Sequence, residues 1–170
     1  MTNFPAALLD DIRSKTATVG IIGLGYVGLP LAVTAADRGF PVIGFDIDPG
    51  KMALLDKRVN YIEAVSSESL ERVSSAGRFT WTTDFSRLSK CSVIVICVPT
   101  PLTRHREPDL SFIEDTAAMI AKHLSRNTLV VLESTTFPGT TDEVLVPILA
   151  SSGLREGEDF FVGFSPERED

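Results

Sequence analysis

Residues 20–32, GIIGLGYVGLPLA, decide the fold of this chain. Gly23, Gly25 and Gly28 stand there at GxGxxG spacing, behind an apolar run and ahead of a run of small residues. The spacing alone is weak. It becomes specific when a strand precedes it, a helix follows it and an acid closes the next strand. Residues 17–23 (ATVGIIG) are short and β-branched, as a strand should be. Residues 26–38 carry Leu31, Ala32, Ala35 and Ala36 at helical spacing, and 40–46 (FPVIGFD) form a second strand ending in Asp46. In such a turn Gly23 permits the tight bend. Gly25 removes the Cβ that would block a diphosphate, and Gly28 lets helix and strand pack closely. The N–H groups from Gly25 to Val27 then face the phosphates, aided by the helix dipole. Pro30 costs little, because first-turn N–H groups have no partner inside the helix. A tight turn without ligand is the competing reading.

Asp46 is placed to accept hydrogen bonds from ribose hydroxyls and to repel a 2′-phosphate, which favours NAD over NADP. Lys51 works against that preference and Asp48 restores the negative balance. Asp46 also has a plainer reading, as the cap of a helix over PGKMALL. Asp48, followed by Pro49, fits that cap better.

Outward from the turn, apolar runs alternate with helical patterns. Residues 91–98 (CSVIVICV) and 128–134 (TLVVLES) read as strands buried on both faces. Residues 79–84 (FTWTTD) read as a polar strand near an edge, and 159–165 (DFFVGFS) as the last strand. Helices are expected over 61–77, stopped by Gly77, after a capping box of Ser111 and Glu114, and after a second box of Thr140 and Glu143. Pro147 should kink or restart that last helix. The N-terminal residues read as a short amphipathic helix. The fold class is therefore α/β: a Rossmann-type doubly wound, mostly parallel sheet with helices on both faces. Its ligands belong at the carboxyl ends of the strands, in the loops after residues 23, 46, 98, 134 and 165.

Composition agrees with one globular domain: 170 residues, 44% hydrophobic and 23% charged. A formal charge of −7 argues against a nucleic-acid partner. The apolar runs are too short to span a membrane, and the N-terminus is no secretory signal. Cys91 and Cys97 make neither a metal-ligand spacing nor a disulfide framework, so no metal is expected and the cytoplasm is the expected compartment. Cys97 reads as inert packing in a strand. Arg104, His105 and Arg106 form a basic spot in residues 102–107, either steering an anionic ligand or simply solvated.

The motifs GLGYVGLPLA, GFDID, CVPTPL, REPDLS, ESTTFPGTT and FSPERED occur in this order between Ala17 and Asp170. Together they resemble the N-terminal NAD-binding domain of the UDP-glucose/GDP-mannose dehydrogenase family. REPDLS, ESTTFPGTT and SPERED are most similar to the branch acting on UDP-N-acetylhexosamines, the UDP-N-acetylglucosamine 6-dehydrogenases. The resemblance implies a helical extension over residues 1–16 and an NAD-binding domain over 17–170. It implies the family's chemistry, oxidation of a nucleotide-sugar C6 alcohol to a carboxylate with reduction of two NAD, in polysaccharide biosynthesis. It assigns cofactor contacts to Gly23, Gly25, Tyr26, Val27, Gly28, Asp46, Lys51, Thr100 and Thr135. The hydroxyls of Thr100 and Thr135 also have a plainer reading as strand-end caps. Thr135 matches the threonine that holds the hydrolytic water, and Glu167 the glutamate that activates it. The family's cysteine, lysine and asparagine lie in later parts of its chain, and neither Cys91 nor Cys97 matches that cysteine. The expectation is a fragment that binds NAD without turning over alone, meeting a UDP-sugar with the other domains, in a full-length homo-oligomer. UDP-glucose and UDP-N-acetylmannosamine stay open as the sugar. A non-catalytic NAD-binding module also stays open, although it would need neither Thr135 nor Glu167. A hydroxyacid dehydrogenase would share the glycine turn but lack ESTTFPGTT and SPERE.

Overall fold

The computed structural model describes residues 5–101, 108–134 and 136–166. The basic stretch 102–107, Thr135 and Glu167 fall outside the described residues. Six strands form one sheet: β1 (Val19–Ile22), β2 (Val42–Phe45), β3 (Phe79–Thr82), β4 (Val93–Ile96), β5 (Thr128–Leu132) and β6 (Phe160–Phe164). Their order is β3-β2-β1-β4-β5-β6 and every neighbouring pair is parallel. This is the doubly wound arrangement expected from the alternation of strands and helices. The polar run FTWTTD does supply an edge strand, as β3.

Register matters more to the site than order. Ile22 lies beside both Phe45 and Ile96, and Leu132 beside Ile96 and Phe164. The carboxyl ends of β1, β2, β4, β5 and β6 therefore come out level, and the loops after them open on one rim. Between β1 and β4 the chain reverses its direction of winding, which parts the loops and leaves a crevice there.

The helices are α1 (Ala6–Ser14), α2 (Gly28–Asp37), α3 (Pro49–Asp56), α4 (Ser67–Ser75), α5 (Ser111–His123) and α6 (Val146–Ala150). Alternate strand residues point to opposite faces, so the core divides in two. Val19, Ile21 and Val95 pack with Leu29, Ala32 and Leu70 from α2 and α4. Ile22, Ile94 and Val130 pack with Ile113, Ile120 and Leu149 from α5 and α6. Helices thus cover both faces of the sheet. Both cysteines are buried and not joined in a disulfide, Cys91 just ahead of β4 and Cys97 just past its end rather than within it.

Local structure departs from the sequence reading in four places. Residues 61–66 are not helical, and α4 starts only at Ser67, capped by the Ser66 hydroxyl, which accepts from the Ser69 N–H at 3.1 Å. Ser111 is inside α5 and caps nothing; its N–H donates to the Asp109 carboxylate at 3.0 Å, an Asx turn that preempts the capping box. The Thr140 hydroxyl donates backward to the Phe137 carbonyl at 2.9 Å, and Gly139, at φ 97°, precedes a π-helical turn over Thr140–Leu145. Pro147 then opens α6, the restart foreseen for it. Finally, β5 alternates buried and half-buried residues rather than being sealed on both faces.

Candidate functional site

A cleft of about 810 Å³ lies at the carboxyl rim of the sheet, over the β1–β4 divide. That is ample for a dinucleotide-sized ligand, as ligand pockets run from about 300 to about 1,000 Å³. Its floor is Ile22 and Gly23 after β1, Asp46 after β2, Cys97 to Thr100 after β4, and Glu133 with Ser134 after β5. One wall is the outer face of α5, where Phe112 and Met119 supply apolar surface between Asp115 and Lys122.

The three glycines of the turn occupy three different steric situations. Gly23 has φ 91°, and a Cβ there would lie 2.7 Å from the Cys97 carbonyl oxygen. At Gly28 a Cβ would lie 1.8 Å from the Gly23 oxygen, so only glycine lets α2 meet β1. Gly25 differs from both. A Cβ there would meet no protein atom within 4 Å, and the residue lines the cleft. Protein packing does not require glycine at this position, and the bare Cα leaves room for a ligand to approach the backbone closely.

The start of α2 is equally open. Its N-cap, Val27, makes no side-chain capping bond, and its first turn carries no acid. The Leu29 and Leu31 N–H groups donate to the Gly25 and Val27 carbonyls, each at 3.1 Å, and the dipole makes the end electropositive. Tyr26, 60% exposed, stands at this mouth without closing it.

Asp46 is buried and faces the cleft. Its Oδ2 accepts from the Leu24 N–H at 2.8 Å and from the Lys51 ammonium at 2.6 Å, while Oδ1 accepts from the Asp48 N–H at 3.0 Å. A carboxylate offers about four acceptor sites, so it ties the glycine turn to the β2 loop and retains capacity toward the cleft. Lys51, on α3, is two-thirds withdrawn from solvent and paired with that acid. Asp48 does cap α3, accepting from the Gly50 N–H at 2.7 Å.

Of the residues singled out by sequence, Gly23, Gly25, Tyr26, Val27, Asp46, Lys51 and Thr100 all line this cleft, with Gly28 directly beneath it. The α5 wall escaped the sequence reading, as did two residues that tie the site together. Ser134, buried, donates from Oγ to the Val98 carbonyl at 2.8 Å and fastens the β5 loop to the β4 loop. Tyr61 donates to the Leu24 carbonyl at 2.9 Å. Burial, and then the nearby Asp46 and Asp48 carboxylates, push its phenol well above the ordinary tyrosine range, so it remains a donor. Ser134 had a signal in its place beside Thr135 at a strand end. Tyr61 had none, since its partner lies far away in sequence.

Comparison with known proteins agrees with this geometry. Residues 17–170 match the model of the UDP-glucose/GDP-mannose dehydrogenase family, NAD binding domain. The chain is 41% identical to a UDP-N-acetyl-D-glucosamine 6-dehydrogenase of Pseudomonas aeruginosa over 91% of its own length and 36% of the relative's. It is 38% identical to a UDP-N-acetyl-D-mannosamine dehydrogenase of Pyrococcus horikoshii, over 88% of this chain and 36% of that one. Among solved structures, a ternary complex of GDP-mannose dehydrogenase from Pseudomonas aeruginosa superposes with a TM-score of 0.83 at 34% identity, over 88% of this chain and 36% of that one. The chain thus spans about a third of the length of these relatives. A crevice at the switch point, a helix mouth without a side-chain cap and a glycine that opens onto the cleft fit NAD, and the chain belongs to the UDP-glucose/GDP-mannose dehydrogenase family, matching its NAD-binding domain.

Proposed function

We propose that this chain, over residues 17–170, is the cofactor-binding part of a nucleotide-sugar 6-dehydrogenase that oxidises the C6 alcohol of a UDP-N-acetylhexosamine to a carboxylate. The observation that carries the cofactor half is Gly25, where the space a Cβ would fill is open to the cleft. The Gly25 to Val27 turn holds the diphosphate on backbone N–H groups and the α2 dipole. Asp46 takes the adenosine ribose, with Lys51 neutralising part of its charge at the same end. Thr100 meets the dinucleotide from the β4 loop. NAD, when bound, supplies the hydride acceptor.

The sugar half rests on the relatives, whose names include UDP-N-acetyl-D-glucosamine and UDP-N-acetyl-D-mannosamine dehydrogenases. In this reading Thr135 holds the hydrolytic water and Glu167 activates it, working with residues of the rest of a full-length protein. That protein is a cytoplasmic homo-oligomer serving polysaccharide biosynthesis. Among the described residues no helix is long and apolar enough to cross a membrane.

The test is NADH formation by the full-length protein presented separately with UDP-N-acetylglucosamine, UDP-N-acetylmannosamine and UDP-glucose. Turnover fastest on an N-acetylated sugar, abolished in Glu167→Gln after the first turnover, is the expected result. No reduction of NAD with any of the three would overturn the dehydrogenase reading.

A further inference from the structure

Leu24 is fully buried in the middle of the glycine turn, and both of its backbone polar groups are held from outside the turn. Its N–H goes to Asp46 and its carbonyl to the hydroxyl of Tyr61, in the segment that connects α3 to α4. The carbonyl of Leu24 and the N–H of Gly25 belong to one peptide unit. That unit is trans, so the two groups point in opposite directions. Tyr61 does not line the cleft, whereas Gly25 does. A bond that holds the Leu24 oxygen toward Tyr61 therefore holds the Gly25 N–H away from Tyr61, on the cleft side.

The neighbouring peptides have their own anchors. On one side the Leu24 N–H donates to Asp46 at 2.8 Å, and on the other the Gly25 carbonyl accepts from Leu29 at 3.1 Å. The unit between them is the one that, in a glycine-containing turn, is easiest to flip. Flipped, it would aim a carbonyl oxygen at an incoming phosphate in place of an N–H donor, replacing attraction with repulsion.

We propose that Tyr61 is a positioning residue for the diphosphate: through the Leu24 carbonyl it fixes the Leu24–Gly25 peptide with its N–H toward the cleft. This rests on the reading of the cleft as the NAD site. The raised phenol pKa agrees with a hydroxyl that stays protonated and donating.

The experiment compares wild type with Tyr61→Phe, which removes one oxygen and keeps the ring. Calorimetric titrations use NAD, ADP and adenosine, and the amide resonance of Gly25 is followed by NMR in the free proteins. Loss of a single positioned hydrogen bond corresponds to about a five- to tenfold effect. We expect NAD and ADP to bind about that much more weakly to Tyr61→Phe, adenosine to bind unchanged, and the Gly25 amide resonance to shift or broaden. Unchanged ADP affinity overturns the proposal. So does equal weakening of ADP and adenosine, or a variant that fails to fold, since either makes the hydroxyl a general structural support. If wild type itself binds neither NAD nor ADP, the cofactor reading of the cleft fails whatever Tyr61 does.

Discussion

Two glycines three residues apart predict opposite outcomes for the same kind of change. At Gly28 an added methyl collides with the backbone oxygen of Gly23, 1.8 Å away, with no side chain free to yield. Gly28→Ala should cost about 3 kcal/mol or more, read as a fall in the denaturant midpoint. At Gly25 the same methyl meets no protein atom within 4 Å. Gly25→Val should therefore leave the melting temperature near wild type while filling the space that the proposed diphosphate site needs. Asp46 makes a third prediction at this scale. In the proposed site its carboxylate opposes a 2′-phosphate, and it occupies Lys51, the nearby cation, at 2.6 Å. Asp46→Asn removes the repulsion and releases Lys51, so the ratio of NADP to NAD affinity should rise about tenfold, as expected for one freed charge-assisted contact. Titrations with the two dinucleotides check it; an unchanged ratio would take selectivity away from Asp46.

Elements carry a different kind of consequence. The Cys91 thiol, packed against Gly20 just ahead of β4, is pushed up to about 12 by burial, with Arg87 opposing the shift only weakly. A group whose folded pKa is raised stabilises the fold fully below its unfolded value and loses that contribution as pH climbs to the folded one. The window here runs from about 9 to about 12. Thermal melts across it should show stability declining with pH, and Cys91→Ala, less stable below the window, should flatten the slope. An equal slope in that variant would assign the decline to other groups.

The element scale also shows where sequence reading stopped. The GxGxxG turn, the strands and the Asp48–Pro49 cap were legible, because each depends on residues within a few positions of one another. The capping boxes at Ser111 and Thr140 were misread because a local rival won in each case: Asp109 captured the Ser111 N–H, and Thr140 bonded back to Phe137. Residues 61–66 were misread because Asn60 accepts from the Ile62 N–H and donates to the Val65 carbonyl, and because Tyr61 reaches Leu24, remote in sequence but adjacent in space.

At the scale of the whole molecule, the level carboxyl ends of the strands gather the site. Loops after β1, β2, β4 and β5 converge because Ile22 registers with Phe45 and Ile96, and Ile96 with Leu132. Sequence reading found the glycine turn, Asp46, Lys51 and Thr100 on that rim but not the ties across it, such as Ser134 to Val98 or Asp46 to Leu24. A ligand bridging such loops binds only the folded chain. NAD should therefore stabilise the domain by mass action, about 2.7 kcal/mol at a hundredfold excess over its dissociation constant. A melting temperature that does not rise with NAD concentration would contradict that coupling.

The most direct measurement is a calorimetric titration of NAD into wild type and Gly25→Val, with their melting temperatures measured alongside. The account predicts saturable binding to wild type, at least a hundredfold loss in the variant, roughly what exclusion of a diphosphate should produce, and closely similar melting temperatures. Equal binding by the two proteins, or no binding by wild type, would contradict it.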